Sequence, residues 1–121
     1  MSALVWIGVA VFGGMGALAR FALDGAVSER LGSRFPWGTF AVNVSGSFLL
    51  GLITGLALHG DALELAGTAV LGSYTTFSTW MLESQRLGED GDVRALWLNV
   101  AVSLAVGLAA IALGRTIGGA L

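Results

Sequence analysis

A run of hydroxyl-bearing side chains is the part of this sequence best suited to chemistry. It reads Gly72-Ser73-Tyr74-Thr75-Thr76-Phe77-Ser78-Thr79-Trp80 and lies inside an otherwise hydrophobic segment. Ser and Thr hydroxyls compete for backbone hydrogen bonds, so the stretch after Gly72 is a position where a helix can break. The alternative is a continuous helix whose hydroxyls bond back to the preceding turn.

A break at this position predicts an ion site. Broken helices occur at membrane depth where the freed backbone lines a cavity or binds an ion. Carbonyls released at Gly72 and Thr75 are hard oxygen ligands, which suit an alkali cation better than a transition metal.

Phe77 and Trp80 lie three residues apart and therefore share a helical face. Such a pair ordinarily faces lipid or fills a core. Beside a track of hydrogen-bond donors, however, an aromatic ring offers its electropositive edge to an anion. That attraction is weak, which suits conduction because a site must admit an ion without trapping it.

Two further segments carry polar and small residues spaced four apart, which places them along helical stripes. They are Asn43, Ser47, Gly51 and Gly55 in one segment, and Asn99, Ser103 and Gly107 in the other. One interpretation is a packing seam between helices. The other is a polar track, because a buried amide in a membrane needs a partner or a passing ligand. Thr39, one turn before Asn43, belongs to the same predicted track.

Arg20 is the only charge well inside a predicted hydrophobic span. One interpretation is that it extends to the membrane interface, as long basic side chains near helix ends do. The other is that it makes a vestibule electropositive.

Four hydrophobic stretches position these residues, and each approaches the roughly 20 apolar residues that a bilayer-spanning helix needs. They cover about 3–23, 37–58, 65–82 and 94–113, with polar connections at 24–36, 59–64 and 83–93. Because backbone groups in lipid must be satisfied internally, spans of this length are helices. The sequence predicts one all-α membrane domain with four transmembrane helices, the third of them broken.

Composition supports the membrane assignment and excludes other classes. Of 121 residues, 55% are hydrophobic and 12% charged, whereas soluble domains carry about 25% charged residues. The chain has no cysteine for disulfides or thiolate metal sites, and its single His59 leaves little for histidine-based catalysis. A net charge of −2 without a basic run argues against nucleic acid as a partner.

Taken together, these motifs resemble those of the CrcB/Fluc family of fluoride channels, and the resemblance covers nearly the whole chain. The matching stretches are Gly13-Gly14-Met15-Gly16-Ala17-Leu18-Ala19-Arg20, Pro36-Trp37-Gly38-Thr39-Phe40-Ala41-Val42-Asn43-Val44-Ser45-Gly46-Ser47-Phe48, and the run from Gly72 to Trp80. The resemblance implies a passive fluoride channel in a prokaryotic plasma membrane, which exports cytoplasmic fluoride and lowers its toxicity. The resemblance also implies that the protein is not an enzyme.

The resemblance also implies an assembly and site residues. Family members are dimers of antiparallel subunits with two fluoride pores, and a structural Na⁺ is held by main-chain oxygens that would belong here to Gly72 and Thr75. The pore residues implied by position are Asn43, Phe77, Trp80, Asn99, Ser103 and Thr39, with Arg20 in a vestibule. Trp80 departs from the family's second phenylalanine, and Asn99 occupies a position where relatives often have tyrosine.

Arginine placement bears on the dimer. The first and third connections, with adjoining span ends, hold Arg20, Arg30, Arg34, Arg86 and Arg94, whereas the opposite side holds Arg115 and the terminal amine. This bias places both termini outside. An antiparallel homodimer needs nearly balanced charge, so the imbalance favours pairing with an oppositely oriented paralogue over a homodimer.

Two rival functions remain compatible with the composition. A proton-coupled exporter of the small multidrug type needs a titratable carboxylate within a span, whereas Asp24 and Glu83 lie at span ends. A non-conducting assembly subunit explains the small-residue stripes but not the run from Gly72 to Trp80.

Overall fold

The computed structural model describes residues 2–121, and their regular secondary structure is helical, without a strand. The elements are α1 (Ala3–Leu31), α2 (Trp37–Gly55), α3 (Gly60–Leu63), a π-helical segment (Glu64–Leu71), α4 (Gly72–Tyr74), α5 (Phe77–Glu89) and α6 (Val93–Ala120). Helices α1, α2 and α6 are each long and apolar enough to cross a bilayer. The predicted class, an all-helical membrane protein, is confirmed.

The predicted span 65–82 consists of several shorter helical pieces. Helix α4 ends at Tyr74, and Thr75 and Thr76 have extended backbones, with φ/ψ of −80/157° and −146/122°. Helix α5 then begins at Phe77. Two consecutive β-branched residues favour extended backbone here. At 13 residues, α5 alone is shorter than a membrane span.

Helices α1, α5 and α6 extend beyond the hydrophobic stretches that predicted them. Helix α1 continues to Leu31 through part of the expected connection 24–36, and α5 continues to Glu89 through most of 83–93. A side-chain hydrogen bond between residues one turn apart supports the extension of α1: Ser28 Oγ donates to Asp24 Oδ1 at 3.2 Å. Hydropathy marks where a helix can contact lipid, whereas backbone hydrogen bonding continues into polar sequence.

Glycines allow α2 and α6 to pack with their backbones in contact. A Cβ atom on Gly114 would lie 2.1 Å from the Phe48 carbonyl oxygen, and one on Gly51 would lie 2.2 Å from that of Ile111. Neither helix could approach as closely with larger residues at these positions. This half of the α2 stripe therefore acts as the packing seam that the spacing suggested.

Helix α1 packs against the π-helical segment and α4, which precede the extended residues. A Cβ atom on Gly16 would lie 2.2 Å from Ser73 Oγ and 2.3 Å from the Val70 carbonyl oxygen. Other positions on α1 carry exposed apolar side chains, including Leu18 and Phe21. Because the helix is apolar enough to span a membrane, we assign these side chains to lipid contact.

Candidate functional site

A cavity of about 390 Å³ lies beside the extended residues between α4 and α5. Helices α2, α5 and α6 and the π-helical segment contribute to its walls. The residues with polar or aromatic side chains that line it are Asn43, Ser47, Thr75, Thr76, Phe77, Trp80 and Ser103. The other lining residues are glycines, including Gly72, and the aliphatic side chains of four leucines and Ile111. The space is therefore mainly apolar, with a few polar groups.

The Asn43 side chain hydrogen-bonds both backbone groups of the extended residue Thr76, its N–H and its carbonyl oxygen. The Thr76 N–H donates to Asn43 Oδ1 at 2.8 Å, and Asn43 Nδ2 donates to the Thr76 carbonyl oxygen at 2.8 Å. The carboxamide thus pairs with one residue as a neighbouring β-strand would. A primary amide has two N–H donors, so one donor of Asn43 is left for another partner.

Two further contacts with α2 fix the end of α4. Ser45 Oγ and the Tyr74 hydroxyl are hydrogen-bonded at 2.8 Å. Gly46 lies against Thr75, because a Cβ atom on this glycine would be 2.3 Å from Thr75 Cγ2. Consecutive positions along α2 therefore contact consecutive positions of the interrupted segment.

Hydroxyl back-bonding occurs together with the interruption. Ser73 Oγ donates to the Ala69 carbonyl at 2.7 Å, and Thr75 Oγ1 donates to the Leu71 carbonyl at 3.0 Å. The alternative considered for this run, a continuous helix, predicted these bonds from the hydroxyls to the preceding turn. The helical backbone nevertheless stops after Tyr74.

The rings of Phe77 and Trp80 form an edge-to-face pair. Their centroids are 5.7 Å apart and their planes meet at 80°. Phe77 is 69% exposed, whereas Trp80 is partly buried. The indole N–H of Trp80 donates to the Asn99 carbonyl oxygen at 3.1 Å, so the polar group that distinguishes tryptophan from phenylalanine already has a partner.

Asn99 is buried behind Trp80, with 1% of its surface exposed. Its Nδ2 donates to Ser84 Oγ at 2.8 Å, and Ser84 Oγ donates to the Trp80 carbonyl at 2.8 Å. Ser103 Oγ donates to Asn99 Oδ1 at 3.3 Å. These bonds join α5 to α6. Of the predicted stripe on α6, Ser103 and Gly107 line the cavity, whereas Asn99 does not.

Thr39 is also buried outside the cavity lining. It is 3% exposed, and its hydroxyl donates to the Glu83 carboxylate. Glu83 and Ser84 were not predicted as site residues. Their positions three and four residues after Trp80 are the signal that could have identified them, because such positions share a helical face.

Arg20 is partly buried and does not line the cavity. Among residues 2–121, its buried Nε has no hydrogen-bond partner. The structure thus brings together six of the predicted site residues, namely Asn43, Gly72, Thr75, Phe77, Trp80 and Ser103. It places Thr39, Asn99 and Arg20 elsewhere.

Comparison with known proteins identifies the family. Residues 7–115 match the family described as CrcB-like protein, Camphor Resistance (CrcB). The fluoride-specific ion channel FluC 2 of Mycolicibacterium paratuberculosis is 55% identical over 111 residues, covering 92% of this chain and 91% of the relative. FluC 2 of Mycobacterium tuberculosis is 51% identical over 117 residues, covering 97% and 93%.

A more distant relative matches over a similar share of the chain. The fluoride-specific ion channel FluC 1 of Symbiobacterium thermophilum is 44% identical over 119 residues, covering 93% of this chain and 96% of the relative. The match spans the cavity-lining residues on all the contributing elements. The resemblance seen in the sequence is confirmed: this chain is an integral membrane protein of the CrcB family, a family of ion channels and not of enzymes.

Proposed function

We propose that this protein is a passive, fluoride-selective channel. The observation that carries the proposal is the cavity at the interruption, where Asn43, Ser103 and the Phe77–Trp80 ring pair meet. The names of its relatives, fluoride-specific ion channels, support the same ion.

The donors at the cavity suit a small, strongly hydrated anion. Its waters have to be replaced by many weak donors, and the free N–H of Asn43, the Ser47 hydroxyl and aromatic ring edges can do so. None of these groups carries a full charge, so fluoride would not be held too tightly to leave. Trp80 acts through its ring edge, because its N–H is bonded to Asn99.

The channel resides in the bacterial plasma membrane and lowers fluoride toxicity by export. Fluoride that enters an acid-exposed cell as the neutral acid becomes trapped as the anion and then leaves down its gradient. The sequence contains no Gly-rich phosphate-binding loop with its lysine, so nothing in it points to nucleotide-driven transport. Passive conduction through the cavity is sufficient.

The conducting assembly is a dimer of antiparallel subunits. Each subunit has four spans, one of which is assembled from the pieces between Gly60 and Glu89 on either side of the interruption. Phe77 is 69% exposed beside the cavity, and a second subunit would cover it. The arginine imbalance favours an oppositely oriented paralogue, and the relatives' numbering as FluC 1 and FluC 2 agrees with paired chains.

A structural Na⁺ at the dimer centre is part of the proposal, and the residues present fit it. Gly72 and Thr75 both line the cavity, next to backbone that has left the helix. Main-chain carbonyls are hard, uncharged oxygen ligands of the kind that suits an alkali cation. When bound, Na⁺ supplies a fixed positive charge between the subunits. Because the ligands are carbonyls, Thr75→Ser should retain Na⁺ dependence.

Fluoride efflux from liposomes containing the purified protein tests the proposed function. We expect rapid efflux of fluoride with little efflux of chloride, in liposomes of neutral pH and with Na⁺ present. A folded protein that releases neither ion would instead support a non-conducting assembly subunit. Efflux that requires an imposed proton gradient would support a proton-coupled exporter.

A further inference from the structure

At the interruption between α4 and α5, two hydrogen bonds of a continuous helix are absent. Both would have used carbonyls assigned to the cation site. In a continuous helix, each N–H donates to the carbonyl four residues earlier. The Thr76 N–H would then occupy the Gly72 carbonyl, and the Thr79 N–H would occupy the Thr75 carbonyl. Those two carbonyls are the ones assigned to Na⁺.

Both N–H donors bond to side chains instead. The Thr76 N–H donates to Asn43 Oδ1 at 2.8 Å, and the Thr79 N–H donates to Thr76 Oγ1 at 3.2 Å. The second bond is an N-cap, which the first turn of α5 requires in any case. Asn43 also donates to the Thr76 carbonyl, which holds this residue in its extended conformation.

We propose that Asn43 and Thr76 are positioning residues of the cation site, which keep the N–H groups of Thr76 and Thr79 away from the Gly72 and Thr75 carbonyls. The inference rests on the Na⁺ site of the proposed function. Both residues act on the backbone and do not touch the ion. Asn43 can still line the fluoride pathway, because its second N–H remains free.

Removing either side-chain acceptor lets an N–H compete with Na⁺ for a carbonyl. Without Thr76 Oγ1, the Thr79 N–H can return to the Thr75 carbonyl. Without Asn43 Oδ1, the Thr76 N–H can return to the Gly72 carbonyl. One competing hydrogen bond corresponds to a loss of about tenfold in Na⁺ affinity.

Thermal unfolding of the purified protein, in the assembly it forms, measures this affinity without fluoride conduction. The unfolding midpoint is recorded as Na⁺ replaces N-methyl-D-glucamine at constant ionic strength. Thr76→Val keeps side-chain volume and β-branching but removes the acceptor, whereas Thr76→Ser restores it. Thr116→Val is the matched control, since this exposed threonine bonds only within α6, to the Ala112 carbonyl at 2.8 Å.

We expect an apparent Na⁺ dissociation constant about tenfold higher for Thr76→Val, with wild-type values for Thr76→Ser and Thr116→Val. Asn43→Leu provides a second, independent variant in case Thr76→Val does not fold, and the same shift is expected. Unchanged Na⁺ affinity in either folded variant overturns the inference. A wild-type protein whose midpoint ignores Na⁺ contradicts the sodium site of the proposed function itself.

Discussion

The indole N–H of Trp80 donates to the main-chain carbonyl of Asn99 at 3.1 Å, which links α5 to α6 directly behind the cavity. The Asn99 side chain reinforces this link through Ser84, whose hydroxyl returns to the Trp80 carbonyl. Hydrogen bonds to the indole N–H and to the backbone carbonyl of Trp80 therefore both hold this residue in position. Its ring can pack against Phe77 without presenting a polar N–H to the cavity.

Trp80→Phe should preserve conduction, because it keeps an aromatic edge beside Phe77. It removes the hydrogen bond to Asn99, so we expect the free energy of unfolding to fall by about 1 kcal/mol. Trp80→Ala removes the ring, and fluoride efflux should drop more than tenfold. Liposome efflux and thermal unfolding measure the two effects. Loss of conduction in folded Trp80→Phe would show that the indole N–H itself is needed.

Gly46→Ala should disturb the interruption through Thr75. The added Cβ would lie 2.3 Å from Thr75 Cγ2, so either the Thr75 side chain or the extended backbone that carries it must move. Overpacking of this kind costs about 1–3 kcal/mol, and we expect fluoride efflux to fall at least tenfold. Gly14→Ala is the control, because nothing lies within 4 Å of a Cβ there. Equal efflux from both variants would mean that the contact with Thr75 is not needed.

Gly114→Ala should destabilise the fold through the seam between α2 and α6. Its Cβ would lie 2.1 Å from the Phe48 carbonyl oxygen, whereas nothing lies within 4 Å of a Cβ on Gly119 in the same helix. We expect the free energy of unfolding to fall by about 1–3 kcal/mol for Gly114→Ala and to change little for Gly119→Ala. Thermal unfolding in detergent decides this, and similar midpoints would contradict the close packing described.

A tag at the C-terminus reports the orientation of the chain in cells. Positively charged connections stay on the cytoplasmic side, and five of the six arginines lie on the side opposite the termini: Arg20, Arg30, Arg34, Arg86 and Arg94. We therefore expect the tag to be accessible only from outside. We also expect an oppositely oriented partner to be recovered with the tagged chain. Even accessibility from both faces would reject a fixed orientation and favour an antiparallel homodimer.

The sequence predicted the elements of this fold better than their ends. Hydrophobic stretches located α1, α2 and α6 because lipid requires about 20 apolar residues per span. The ends of α1 and α5 were missed because these helices continue through charged residues, to Leu31 and Glu89 respectively. Hydropathy carries no information about backbone hydrogen bonds outside lipid.

Within the candidate site, helical spacing predicted which residues share a face but not which neighbour that face meets. Asn43 and Thr39 lie one turn apart on α2, yet the first lines the cavity and the second bonds to Glu83. Likewise Asn99 is directed at Ser84, whereas Ser103 lines the cavity. These differences depend on how α5 packs against α2 and α6, which no local pattern encodes.

The reversal potential of the current through the reconstituted protein tests the central claim most directly. A passive fluoride channel should reverse at the fluoride equilibrium potential, shifting by about 59 mV for each tenfold change in the fluoride gradient. The shift should be the same with and without a pH gradient, and chloride gradients should have little effect. No current from folded protein, or a reversal potential that follows the proton gradient, would contradict the account.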